Sequence, residues 1–166
     1  MSEFPIHSAP PAPPLQVSEW LNTTEAITLD QLHGKVVMLH AFQMLCPGCI
    51  SYGLPQAERV HRLFRNDGLM VVGLHTVFEH HAVMGPDALR VFNHEYRWSF
   101  PIGIDRPAEG GHLPMTMRAY HLEGTPSLVL LDRAGHIRLQ HLGHLDDLLL
   151  GRHLGSLLAE GRPPPA

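Results

Sequence analysis

Cys46 and Cys49 are the two cysteines of the chain, set three residues apart in Cys46-Pro47-Gly48-Cys49. This spacing supports reversible disulfide chemistry if the residues between them open a helix. Positions i and i+3 of a helix are neighbours, with Cβ atoms roughly 5–6 Å apart, so a small adjustment brings the sulfurs into bonding range. Pro47 suits the first helical position, where a missing N–H has no partner to lose. Cys46 is therefore expected at the N-cap and Cys49 in the first turn. A sulfur at a helix N-terminus faces unpaired N–H donors and the positive end of the dipole, which favours thiolate and can bring a cysteine pKa to about 3.5–7.5. Cys46 is the expected nucleophile and Cys49 the resolving thiol.

The elements that must position this pair flank it. Val36 to Phe42 is a nearly unbroken apolar run, the pattern of a parallel strand buried on both faces, and it ends just before Cys46. Downstream, a helix is expected to about Asn66, with Ala57, Val60, His61 and Phe64 as its apolar stripe and Arg59, Arg62 and Arg65 on its wet side. Pro55 must leave one carbonyl free and kink that helix. Gly68 marks its end. Leu69 to His75 is a second buried strand, reached by a crossover too long for a hairpin, so the two strands should be parallel.

Composition narrows the function classes. A chain of 166 residues with 44% hydrophobic content suits one domain with one core. Its formal charge of −4 and the lack of a basic run give no footprint for nucleic acid or an anionic membrane. The first residues show neither a basic n-region nor an apolar h-region, and no window approaches a membrane span, so a cytoplasmic location is expected. In a reducing compartment, two cysteines three apart suggest a catalytic redox pair or half a metal site. The 14 histidines keep the metal possibility open.

The remainder reads as follows. Residues 1–14 hold five prolines and are expected to form a flexible, polyproline-like tail ahead of a folded domain at 15–160, with a second flexible tail at 161–166. Leu15 to Trp20 and Ala26 to Leu29 are expected as edge strands around a turn at Asn22-Thr23-Thr24, with Asp30 capping a turn that ends at Gly34. Thr76 to Gly85 reads as a loop carrying His80 and His81. Pro86 opens a helix with Leu89, Val91, Phe92 and Tyr96, and Phe100 to Asp105 is extended. After a loop at 106–114, Met115 to His121 is a short helix. Thr125 to Leu131 and His136 to Leu142 form a hairpin with Gly135 at positive φ, and Leu145 to Ala159 closes the chain as an amphipathic helix.

This order, with C-x-x-C at the end of the first core strand, resembles the thioredoxin fold and its TlpA-like or redoxin branch of thiol-disulfide oxidoreductases. The matching residues are the strand leading into Cys46-Pro47-Gly48-Cys49, Val71-Val72-Gly73-Leu74-His75, Gly124-Thr125-Pro126-Ser127 and Asp132-Arg133-Ala134-Gly135. The resemblance spans residues 20–159. It implies an α/β fold: a central mixed sheet with helices on both faces, an N-terminal strand extension and an insertion after the second core strand, around 76–114. It also implies that Pro126 is a cis-proline against the active-site pair and that Thr125 offers backbone hydrogen bonds to an extended substrate. Leu45, Pro47 and Gly48 would border that substrate, Leu45 standing where many relatives have tryptophan. Pro55 lies six positions beyond Cys49, one more than the common spacing, so the helix is expected to hold a bulge. His40 stands where thioredoxin has a buried acid, which makes an imidazole the expected proton acceptor for Cys49.

The expected activity is thiol-disulfide exchange, with no cofactor, on a protein or small-molecule disulfide and with a thiol reductant as second partner. Three alternatives compete. A thiol peroxidase of the same fold would need a proline seven and a hydroxyl residue three before its reactive cysteine. Those positions hold Leu39 and Gln43 relative to Cys46, and Phe42 and Cys46 relative to Cys49. A zinc module could combine the two cysteines with His141 and His144, although two residues between histidines is short of the usual three to five. A redox-inert module would hold a peptide by strand addition in the same groove.

Overall fold

The computed structural model describes residues 1–5 and 8–161. Its strands are β1 (Ser2–Glu3), β2 (Val17–Leu21), β3 (Val36–Phe42), β4 (Leu69–His75), β5 (Ile102–Asp105), β6 (Ser127–Leu131) and β7 (Ile137–Leu142). The helices are α1 (Leu54–Phe64), α2 (Pro86–Tyr96), α3 (Met115–Ala119) and α4 (Asp147–Ala159). Among the described residues the strands form one mixed sheet in the order β1-β7-β6-β3-β4-β5-β2.

Every residue of β3 is buried, as its apolar run requires of a strand covered on both faces. Val36, Met38 and Phe42 pack with Ala57 and Val60 of α1, Leu89 of α2, and Leu150 and Leu154 of α4. Val37, Leu39 and Ala41 face the other way, against Tyr120 just beyond α3 and the N-terminal residues Phe4 and Leu15. The register fixes where chemistry can occur. β3 and β4 run parallel in step from Val36↔Leu69 to Phe42↔His75, so both end at one edge of the sheet. β6 runs antiparallel on the other side of β3 with Ala41 opposite Ser127, which brings Thr125 and Pro126 to that same edge.

Several expectations are corrected. The segment 1–14 is not a free tail in its described part. The Phe4 N–H donates to the Arg138 carbonyl at 3.0 Å, the Pro10 carbonyl accepts from Ile137 N–H at 2.8 Å, and Ala12 N–H donates to the Gly135 carbonyl at 2.9 Å. Prolines lack a donor but keep a carbonyl, so a proline-rich segment can line the outer edge of β7 and satisfy it. The tyrosine hydroxyl of Tyr120 ties it further, donating to the Pro13 carbonyl at 2.7 Å. Ala26 to Leu29 is not a strand; it is irregular chain leading into a 3₁₀ turn at Asp30–Leu32. On α2, Leu89 is the buried anchor while Val91 points to solvent. Of the C-terminal tail expected at 161–166, residues 162–166 lie outside the described residues.

Candidate active site

The helix after β3 begins at Pro47, which leaves Cys46 as its N-cap. The Cys46 sulfur accepts the Cys49 N–H at 3.4 Å, so the thiol takes the role that a serine or aspartate usually plays at this position. Cys46 Sγ also donates to the Thr125 carbonyl at 3.4 Å. Both cysteines are free thiols, Cys46 half-buried and Cys49 fully buried. Burial, reinforced by the adjacent Cys46 sulfur, pushes the Cys49 thiol up to about 12. The two groups are thus chemically unequal: Cys46 is only half-buried, and the thiol of Cys49 is buried and held protonated.

Residues Cys49–Gly53 form a π-helical turn, in which Leu54 N–H bonds back to the Cys49 carbonyl. The extra residue before Pro55 is absorbed here. Pro55 has no N–H to continue the ladder, and the wider turn lets the helix restart at Leu54 with the proline in its first turn.

The Thr125–Pro126 peptide is cis, and Pro126 is buried. A Cβ on Gly48 would stand 3.3 Å from Pro126 Cδ, so glycine is what lets the helix start lie against this proline. The Pro126 carbonyl accepts from Gly143 N–H at 2.8 Å, which fastens the loop after β7 to it. Around the pair, Leu45 is 54% exposed and Tyr52 is 56% exposed, the latter with its ring 5.1 Å from that of His144. Cys46, Pro47, Gly48, Thr125 and Pro126 therefore meet at one place, with Leu45 at the rim.

His40 lies on the α1 side of β3, buried and stacked on Phe42 at 6.2 Å. Its Nε2 has no hydrogen-bond partner and faces Gly53. Burial alone pulls the imidazole down to about 4, so it is neutral at physiological pH and keeps a proton-accepting nitrogen. His141 and His144 do not join the cysteines. His141 Nε2 pairs with the His144 carbonyl at 3.2 Å, and among the described residues no group of three or more His, Cys, Asp or Glu side chains converges as a metal site.

Three supporting residues carry no local signal in the sequence. His75 Nε2 accepts the Met44 N–H at 3.4 Å, and burial pulls His75 down to about 4. Gln43, 1% exposed, accepts from Phe78 N–H and donates to Glu79, both at 3.2 Å, while its own carbonyl accepts the Cys46 N–H at 3.1 Å. Asp105 accepts from Thr116 N–H, Met117 N–H and the Thr76 hydroxyl at 2.8, 2.9 and 3.0 Å. Each of the side-chain pairings spans more than ten residues, so no periodicity or short motif announces it.

No protein-family model matches the chain. Among solved structures, the crystal structure of a thioredoxin-like superfamily protein, SPOA0173, is 50% identical and superposes with a TM-score of 0.90 over 93% of this chain and 100% of its own. A thiol-disulfide isomerase from Corynebacterium glutamicum is 51% identical, with a TM-score of 0.85 over 90% of this chain and 97% of its own. Among curated proteins, NHL repeat-containing protein 2 from Bos taurus is 30% identical over 137 residues, 80% of this chain. The chain spans only 18% of that relative's length.

Proposed function

The chain belongs to the thioredoxin-like superfamily, and on that premise we propose that it is a thiol-disulfide oxidoreductase in which Cys46 attacks and Cys49 resolves. The observation that carries this reading is the asymmetry of the pair, a half-buried cysteine at the helix N-cap with a fully buried one three residues behind it.

In the first step the Cys46 thiolate attacks one sulfur of a substrate disulfide. That S–S bond breaks, the departing thiolate takes a proton, and a Cys46–substrate mixed disulfide remains. In the second step Cys49 gives up its proton and attacks the Cys46 sulfur, releasing the second substrate thiol. The substrate gains two electrons, the protein holds a Cys46–Cys49 disulfide, and a thiol reductant returns it to the dithiol. The Thr125 carbonyl lies 3.4 Å from Cys46 Sγ, so the Thr125 backbone stands beside Cys46, where an extended disulfide-bearing segment can pair with it. A cytoplasmic location would favour this reducing direction.

His40 is the proposed acceptor of the Cys49 proton. Gly53, on which its ring rests, is four residues beyond Cys49 and so on the same helix face, and His40 Nε2 is buried, neutral and unpartnered.

The test is a trap. Cys49→Ser incubated with a disulfide-bonded protein substrate should accumulate a mixed disulfide through Cys46, visible as added mass that a reductant removes, whereas Cys46→Ser should not. If neither variant traps substrate and the purified dithiol resists oxidation, the groove is a redox-inert binding surface. If Cys46→Ser is the variant that traps, the two roles are exchanged.

A further inference from the structure

A cavity of about 300 Å³ opens beside the end of β5, between the segment 77–86 and the loop 107–114. It lies at the carboxyl ends of the parallel strands β4 and β5, the edge of an α/β sheet where ligands characteristically bind. Val77, Met84, Ile104, Pro107 and Pro114 make its wall largely apolar, and among the described residues no lysine or arginine lines it. The carboxylate that reaches the wall, Asp105, already has both oxygens engaged by Thr116, Met117 and Thr76. His81 and His112, both exposed, stand at the rim. Such a lining removes an apolar body from water, offers imidazole nitrogens to one polar group, and provides nothing to compensate a buried charge. Since a cavity of about 150 Å³ suffices for benzene, a molecule with two fused rings is of suitable size.

The cavity is also wired to the cysteines. Val77 and Met84 belong to the segment whose Phe78 N–H and Glu79 carboxylate hold the side chain of Gln43. The Gln43 carbonyl in turn holds the Cys46 N–H. A molecule seated against Val77 must press on the turn that presents Cys46.

We propose that this cavity is an effector site for an uncharged apolar small molecule of two-ring size, whose occupancy alters the reactivity of Cys46 through Gln43. The inference stands apart from the identity of the disulfide substrate, because its readout is alkylation of Cys46 rather than turnover.

The probe is 1-naphthol, added to the reduced full chain, with 1-naphthoate as the charged control. Naphthol should bind saturably, with naphthoate at least tenfold weaker, and should change the rate of Cys46 carbamidomethylation at least twofold. Gly111 has a backbone open to any side chain, and a Cβ there would meet Ala108 Cβ at 3.9 Å. Gly111→Trp, and separately Ala108→Phe, should fill the cavity and abolish binding. Gln43→Met, or Glu79→Ala should the first fail to fold, should leave binding intact and remove the rate change. Absence of saturable binding, equal binding of naphthoate, or binding that survives both filling variants would overturn the site. Binding with unchanged alkylation would overturn its effector role, and a rate change that persists in the folded Gln43 or Glu79 variant would overturn the route.

Discussion

The Cα of Gly53 rests directly on the imidazole of His40: a Cβ built there would lie 2.5 Å from His40 Cε1 and 2.7 Å from Nε2. A Cβ does not come that close to other heavy atoms, so the π-helical turn and the buried histidine fit only because this position has no side chain. Gly53→Ala gains about 0.5–1 kcal/mol of helix propensity and sets against it an overpacking cost of about 1–3 kcal/mol. A net loss of stability is expected in urea unfolding. In a His40→Ala background the closer obstruction is gone and Pro126 Cβ, 3.2 Å from the built Cβ, remains, so the same substitution should cost clearly less. An equal loss in both backgrounds would place the constraint at Pro126 or in the helix backbone instead of the ring.

That pair also illustrates what was legible beforehand. The bounds of β3 and β4 follow from their uninterrupted apolar runs, and the Cys46 N-cap from the proline that follows it. The spacing to Pro55 called for a bulge, which the π turn provides. By contrast, nothing local in Gly53 says that it must admit His40, which is 13 positions upstream. Gln43, His75 and Asp105 were silent for the same reason, since their partners come from other strands and loops. The docking of the N-terminus is not legible in its prolines, which signal only a missing donor, because the attachment uses the Pro10 and Pro13 carbonyls as acceptors and the N–H groups of Phe4 and Ala12 as donors.

Two buried imidazoles give the fold an acid limit. Burial pulls both His40 and His75 from 6.5 to about 4. Between those values the unfolded chain binds protons that the native state refuses, so stability is complete above about pH 6.5 and declines as pH falls toward 4. Lowering the pH from 7 to 4.5 should cost about 2–3 kcal/mol for each histidine. Urea midpoints across that range should fall steeply for the native sequence and less steeply for His40→Gln. An unchanged slope in that variant would show that His40 does not contribute.

Asp105 ends β5 and gathers two backbone N–H groups at the start of α3 together with the Thr76 hydroxyl. Asp105→Ala strands all three donors in a buried place, at about 1–3 kcal/mol for each group left unsatisfied. The expected loss is about 3 kcal/mol or more, with faster amide exchange at Thr116 and Met117. Exchange that stays slow at those two amides would mean that α3 is held by its packing alone.

The alkaline limb belongs to Cys49. Burial first, and the neighbouring Cys46 sulfur second, raise its thiol from an ordinary value of 9.0 to about 12. Below pH 9 both native and unfolded chains keep this proton, and the group has no effect on stability. Above it the unfolded chain ionises while the native one does not, so stability falls as pH rises from about 9 toward 12. Cys49→Ala should flatten that decline in urea unfolding measured at pH 8, 9.5 and 10.5. In reduced Cys46→Ser, thiolate absorbance near 240 nm should stay low at pH 9.5 while the protein is folded and rise on adding denaturant. A resolving thiol held so firmly protonated must lose its proton as it attacks. Resolution of a trapped mixed disulfide should therefore accelerate with pH across 7–9.5 and slow markedly in His40→Gln, with the first attack by Cys46 little changed. If Cys46→Ser instead shows full thiolate absorbance at pH 9.5 before denaturant is added, Cys49 is not held protonated, and resolution needs no proton acceptor at His40.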